Sequence, residues 1–157
     1  MTPLALKNSL KKYTNTVLEQ MVSNVILEDK EILQVKYEEL QAGIRPDGAP
    51  IGEYSQSPMG KEYAEYKNNK NPIPGFGQVD LIDTGAFARG NKVIYLGSKW
   101  YTIESSDSKA DNLIKKYGYI NERINQKAWN RLQKFNYLPK VLRGIKLWVK
   151  KVHFIED

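Results

Sequence analysis

The chain has 157 residues, 41% apolar and 27% charged, a length and composition suited to a single domain around one hydrophobic core. It holds no cysteine and one histidine, His153, which excludes disulfides, thiolate metal sites, cysteine nucleophiles and multi-histidine metal centres. The net charge of +6 is uneven: residues 1–108 carry 12 Lys/Arg against 14 Asp/Glu, whereas residues 109–151 carry 12 Lys/Arg against only Asp111 and Glu122.

That asymmetry has two readings, a solvated helix face or a surface for an acidic partner such as nucleic acid. No run approaches the ~18 apolar residues that a membrane crossing needs. The opening MTPLALKNSLKKY alternates apolar and basic residues and lacks the apolar centre of a signal peptide, so cytosolic synthesis without a membrane partner is the expectation.

Residues 4–27 predict an amphipathic helix. Leu6, Leu10, Tyr13, Val17 and Met21 recur at steps of three or four, with Lys7, Lys11, Asn15 and Glu19 on the other side. Thr2-Pro3 supplies a cap and a first-turn proline. Near Asp29, a plausible N-cap, a second apolar stripe begins with Ile32, Leu33, Tyr37 and Leu40, and Gly43 stands where a left-handed helix terminus belongs. The first 42 residues are one long bent helix or two abutting ones.

The middle changes character. Asp47-Gly48 is a turn signal between short extended pieces. Residues 53–79 are rich in Gly, Pro, Asn and Tyr with little periodicity, which predicts an extended loop that contacts something. Tyr54, Tyr63, Tyr66 and Phe76 are its candidates for subunit contact, and a loop folded back on its own domain is the alternative. Farther on, Val93–Leu96 and Trp100–Ile103 read as strands joined by a hairpin at Gly97-Ser98. A short helix ending at Gly118 and another capped by Asn125 follow. In the last stretch Leu138, Val141, Leu142, Ile145, Trp148, Val149 and Val152 form an apolar stripe begun by Pro139, and Lys140, Arg143, Lys146, Lys150 and Lys151 form a basic face. The predicted fold class is α+β, helices at both ends and a small antiparallel sheet with a hairpin near 92–104.

One tripeptide poses a chemical question. In LIDTGA, Asp83-Thr84-Gly85 matches the catalytic segment of a retroviral-type aspartic protease, which needs two carboxylates sharing one proton. The surroundings argue otherwise: AFARGNKVIYLGSK supplies no flap, and such enzymes are nearly all β. The other reading makes Asp83 an acceptor for the amides that follow it and Gly85 a positive-φ residue, so that the tripeptide is a turn or helix start.

The order of these segments resembles a family. LQAGIRPDGAPIGEYS, YAEYKNNKN and VDLIDTGAFARG, followed by a hairpin and a terminal helix, look like the tail-completion, head–tail joining and minor tail (virion morphogenesis) proteins of tailed bacteriophages. The likeness rests on Gly43 with Asp47-Gly48, on Tyr63–Lys67, and on Leu81 with Thr84-Gly85, and spans roughly residues 35–105. One segment departs from the pattern: WYTIESSDSKADNLIKKYG lacks the histidine that the family commonly carries after the hairpin. The resemblance implies a non-enzymatic virion protein that forms a homo-oligomeric ring or collar at the neck or tail. Its partners would be copies of itself and portal, connector or tail subunits, with packaged DNA within reach of the basic helix. No cofactor is implied. An aspartic protease using Asp83 and a small basic nucleic-acid-binding protein are the alternatives.

Overall fold

Backbone closure at helix ends sets the first half of the fold. The computed structural model describes residues 3–28, 30–97 and 100–153. Helix α1 (Pro3–Glu28) and helix α2 (Glu31–Gln41) are separate elements; Thr2 and Asp29, read as caps, lie outside the described residues. The residue preceding α2 is Lys30, with no side-chain cap. The far end is closed by the backbone: Gly43, at φ 68°, lets its own N–H reach Leu40 O at 3.3 Å and the Ile44 N–H reach Glu39 O at 2.8 Å, satisfying two terminal carbonyls. A side chain there would also collide with the Val79 carbonyl oxygen, 2.5 Å from a built Cβ.

The next segments fold back on α2. Around Asp47-Gly48, Arg45 N donates to Ala49 O (2.8 Å) and Ala49 N to the Asp47 carboxylate (2.9 Å), with Gly48 at φ 86°. Tyr54 N to Gly77 O and Val79 N to Gly52 O, both 2.9 Å, then align residues 52–54 with 77–79.

The predicted extended loop over 53–79 needs correction. It contains a 13-residue helix, α3 (Pro58–Lys70), started by Ser57, whose hydroxyl accepts from Gly60 N at 3.1 Å, with Pro58 in the first turn. The face it buries holds Ala64, Lys67 and, just past its end, Asn71. Gly60 falls on the same stripe and abuts the Ser55 carbonyl oxygen. Small and polar residues make that buried stripe, and the larger apolar residues at helical spacing, Met59, Tyr63 and Tyr66, lie on the exposed side.

A single-turn helix, α4 (Ala86–Arg89), leads into the antiparallel pair β1 (Asn91–Gly97) and β2 (Trp100–Ser105), with Val93 opposite Ile103 and Tyr95 opposite Tyr101. Register shifts between Tyr95 and Gly97, and Ser98 of the expected turn lies outside the described residues. Helix α5 (Ala110–Tyr117) ends at Gly118, φ 75°, and α6 (Gln126–Leu132) is capped by Asn125, which accepts from Ala128 N at 2.9 Å.

The terminal helix does not start afresh at Pro139. A π-helical turn, Gln133–Tyr137, joins α6 continuously to α7 (Leu138–His153). Proline in a helix lacks one N–H and crowds the carbonyl four residues back; the wider turn just before it accommodates both.

The fold is α+β, and α2 is its spine. Its buried stripe of Ile32, Val35, Lys36, Glu39 and Leu40 serves two clusters. Leu40 packs with Ile51, Val79, Leu81, Phe87, Ala88, Ala110 and Ile120. Ile32 and Val35 pack with Ile26, Ile103, Ile124, Leu132 and Tyr137.

Candidate assembly surfaces and the Asp-Thr-Gly segment

Asp83 is not the residue that shapes the turn. Asp80 is: one carboxylate oxygen accepts from Ile82 N (2.8 Å) and from Lys67 Nζ (2.6 Å), the other from the Asn71 amide (3.1 Å). Lys67 also donates to Ile82 O at 3.2 Å, and Asn71 to Gln41 O at 2.8 Å, so one buried network ties α3 to α2 and to the segment before α4. Asp83 points outward instead, about half exposed, and binds Lys70 Nζ at 2.9 Å with the Tyr66 hydroxyl at 3.4 Å. The expectation that Asp83 accepts from following amides is thereby corrected: an ammonium is the stronger donor to a carboxylate, and α3 places one within reach. The hydrogen bond from Lys70 holds the Asp83 carboxyl below its ordinary value, and that same bond raises Lys70.

Thr84 and Gly85 start the short helix. Gly85 precedes α4 at φ 76°, Thr84 Oγ1 accepts from Ala86 N at 3.3 Å, and the Arg89 guanidinium closes on Thr84 O at 2.8 Å. Ser105 Oγ donates to Phe87 O at 2.7 Å and anchors α4 to the end of β2.

The four interface candidates separate. Tyr54 is half-buried, packs on the first core cluster, and meets Tyr63 edge-on with ring centroids 5.3 Å apart. Tyr63 continues to Tyr66 at 5.9 Å. Burial raises the hydroxyl pKa of Tyr54 and of Tyr63, with Asp80 adding to the first and Asp83 to the second. Met59, Tyr63, Tyr66 and Lys70 recur at four, three and four residues, a single stripe on the exposed side of α3. Phe76 stands apart, 65% exposed between Gly75 and Gly77, both with positive φ. Tyr54 and Tyr63 also line a cleft of about 400 Å³ with Asp83, Lys109, Lys116 and Tyr117.

The helices at the two ends of the chain pair. Tyr13 and Trp148 lie with ring centroids 6.5 Å apart, and a methyl group built on Gly144 would stand 3.6 Å from the Met21 sulfur, so α1 and α7 run antiparallel. None of the described side chains of α7 is buried. Val141, Ile145 and Trp148 are half-covered, but Leu138, Leu142, Leu147 and Val149 are exposed. Lys140, Arg143, Lys146 and Lys150 are exposed as well; the side chain of Lys151 lies outside the described residues. From Arg123 to Ile155 the chain has no acidic residue. Among the described residues, Arg143, Lys146 and Lys150 make no ion pair.

Sequence reasoning missed two features here. The first is a second buried network: Lys36 Nζ donates to Glu39 (3.3 Å) and to Arg123 O (3.0 Å), while Glu39 accepts from both the backbone and the side-chain amide of Asn125 at 2.8 Å. Burial lowers Lys36 and raises Glu39, each partly offset by the other. Lys36 and Glu39 lie at i and i+3, a spacing equally common on solvated helix faces, so no signal separated them. The second is an apolar groove of about 530 Å³ between α1 and the α6–α7 run, lined in part by Trp129 and Tyr137, whose tilted rings lie 5.6 Å apart.

Among the described residues no group of three or more His, Asp or Glu is placed to hold a metal ion, and no helix is long and apolar enough to cross a membrane. No family model, curated protein or solved structure matches the chain.

Proposed function

We propose that this chain is a non-enzymatic structural subunit of a tailed-bacteriophage particle. Copies of it would form a ring or collar at the head–tail junction or in the tail, in contact with portal, connector or tail subunits, and reside in the virion. The motif order over residues 35–105 supplies the phage context. The observation that carries the assembly reading is the open flank of α7, where Leu138, Leu142 and Val149 are 53%, 48% and 40% exposed on a helix whose other flank rests on α1. Apolar patches of this kind on a folded chain mark contact surfaces. Sedimentation of the purified protein and electron microscopy of particles test it: a defined multimer, found at the neck or tail, is expected. A chain that remains monomeric and is absent from particles would overturn it.

The basic tract favours one second reading, sequence-independent contact with nucleic acid. An acid-free run with exposed Lys140, Arg143, Lys146 and Lys150 suits a row of phosphates. It predicts retention of duplex DNA that falls steeply with salt. The protease reading would need Asp83 to leave Lys70, which it meets at 2.9 Å, and face a second carboxyl across a dimer axis.

A further inference from the structure

Two exposed apolar surfaces carry charged residues beside them, and they sit on different parts of the core. The first is the outward stripe of α3, Met59, Tyr63 and Tyr66, on a helix that Tyr54 links to the cluster around Leu40. Glu62 and Glu65 are exposed beside it, and the ammonium at its end, Lys70, is already matched by Asp83. The second is the groove of about 530 Å³ on the cluster around Ile32, walled by Val22, Val25, Trp129, Tyr137, Leu138 and Val141. Lys134 lies in its lining; Arg131, exposed three residues earlier on the same helical run, lines the neighbouring cleft with Glu38 and Glu39. One surface is an apolar helical stripe with Lys61, Glu62 and Glu65 exposed beside it. The other is an apolar groove with Lys134 in its lining and Arg131 beyond its edge.

We infer that the two meet: α3 of one copy docks in the α1/α6–α7 groove of the next, with Met59 and Tyr63 entering it and Glu62 and Glu65 facing Arg131 and Lys134. The inference rests on the assembly reading above and names its contact. Because stripe and groove are different surfaces of the same chain, the contact is head-to-tail, and repetition closes a ring or extends a stack. Apolar contact supplies the affinity, and the charges set which face meets which.

Charge reversal on each side, followed by mixing, tests it. Glu62→Lys/Glu65→Lys and Arg131→Glu/Lys134→Glu alter exposed side chains, so both variants should keep the wild-type circular dichroism spectrum and unfolding midpoint. Each alone places like charges at every junction, and sedimentation velocity should show association weakened by about tenfold or more. Mixed one to one, each junction regains opposite charges, and the multimer should return. The chain has no cysteine, so a Met59→Cys/Leu138→Cys variant gives a second readout. Mild oxidation at concentrations where wild type assembles should yield a ladder of covalent oligomers.

Wild-type assembly that neither reversal weakens, or a mixture that fails to recover, would overturn this contact and leave the assembly reading standing. Wild type that is monomeric at every concentration and absent from particles would end both. A groove variant that keeps the multimer but loses duplex DNA that wild type retains would assign the basic rim to phosphates, and that too overturns the contact.

Discussion

Lys67 and Asp80 form an ion pair at 2.6 Å with their side chains 3% and 1% exposed, and it fastens α3 to the segment that leads into α4. Desolvating two charges costs much of what their attraction returns, so the pair is sensitive chiefly to loss of one member. Lys67→Met leaves a buried, unpaired carboxylate and should lower unfolding free energy by about 3–5 kcal/mol in urea titrations. The double variant Lys67→Met/Asp80→Asn should lose less than the sum of its singles, with a coupling of about 1–3 kcal/mol. Additive losses would show that the two side chains do not share a site.

Gly60 inverts a propensity rule. In an exposed helix interior, alanine is favoured over glycine by about 1 kcal/mol. Gly60, though, faces inward, and a methyl group there collides with the Ser55 carbonyl oxygen, a backbone atom fixed by the turn before α3. Gly60→Ala should therefore destabilise by about 1–3 kcal/mol in chemical denaturation, whereas Glu65→Ala on the outer face should be near neutral.

That inversion also shows what could be read from the chain. Helices α1, α2 and α7 carry apolar residues at three-to-four spacing, so periodicity exposes them even where, as at Tyr13, Leu142 and Val149, the stripe faces outward. Gly43, Asp47-Gly48 and Asn125 mark ends and turns through backbone chemistry that a single residue type can announce. Helix α3 is the reverse case. Its inward stripe is Gly60, Ala64, Lys67 and Asn71, and its tyrosines face out, so the pattern looks like a polar loop. Asp80 and Asp83 are the same residue type three positions apart, and Lys67 and Lys70 repeat that spacing. Only the docking of α3 decides which pair is interior. The groove eluded the sequence for a similar reason: it is assembled from α1 and α6–α7, more than 100 residues apart, beside a π-helical turn.

Tyr101, like Tyr54 and Tyr63, adds to the fold's sensitivity to alkali. Its ring lies against Trp129 at 4.8 Å, and burial pushes its hydroxyl up to about 12, partly offset by a backbone hydrogen bond from Ile124. An unfolded tyrosine loses its proton near 10, so between those values the unfolded chain binds fewer protons and gains relative to the fold. Stability contributed by the neutral hydroxyl is thus complete below pH 10 and lost as pH rises toward 12. Tyr101→Phe should flatten this decline by on the order of 2 kcal/mol, read from urea midpoints across the interval.

Asp83 separates the enzyme reading from the structural one. Its partner Lys70 is on the surface, where ion pairs add little to stability. Asp83→Asn should leave the unfolding midpoint at neutral pH within replicate scatter. Since the folded carboxyl titrates below its ordinary value, whatever the charge contributes is present above that value and fades as pH falls through the folded one. A peptide-cleaving activity in wild type that this variant abolishes without unfolding would instead make Asp83 catalytic.

The two flanks of α7 make different predictions for similar substitutions. Ile145 is half-covered on the side toward α1, next to Gly144 where Met21 approaches, so Ile145→Lys must hold an ammonium against the partner helix and should cost about 1–3 kcal/mol. Leu142 and Val149 lie on the open flank, continuous with Leu138 at the groove edge. Lysine at either site, about half exposed, can carry its ammonium into water in the isolated chain, and stability should change by no more than about 1 kcal/mol. In an assembly that covers this flank, the same lysine must be desolvated without an acceptor, so multimers should weaken while the monomer keeps its unfolding curve. Paired urea titration and sedimentation velocity on Leu142→Lys read both quantities. If multimer and monomer respond alike, the open flank of α7 is plain solvent-facing surface, and the strongest support for a ring-forming subunit disappears.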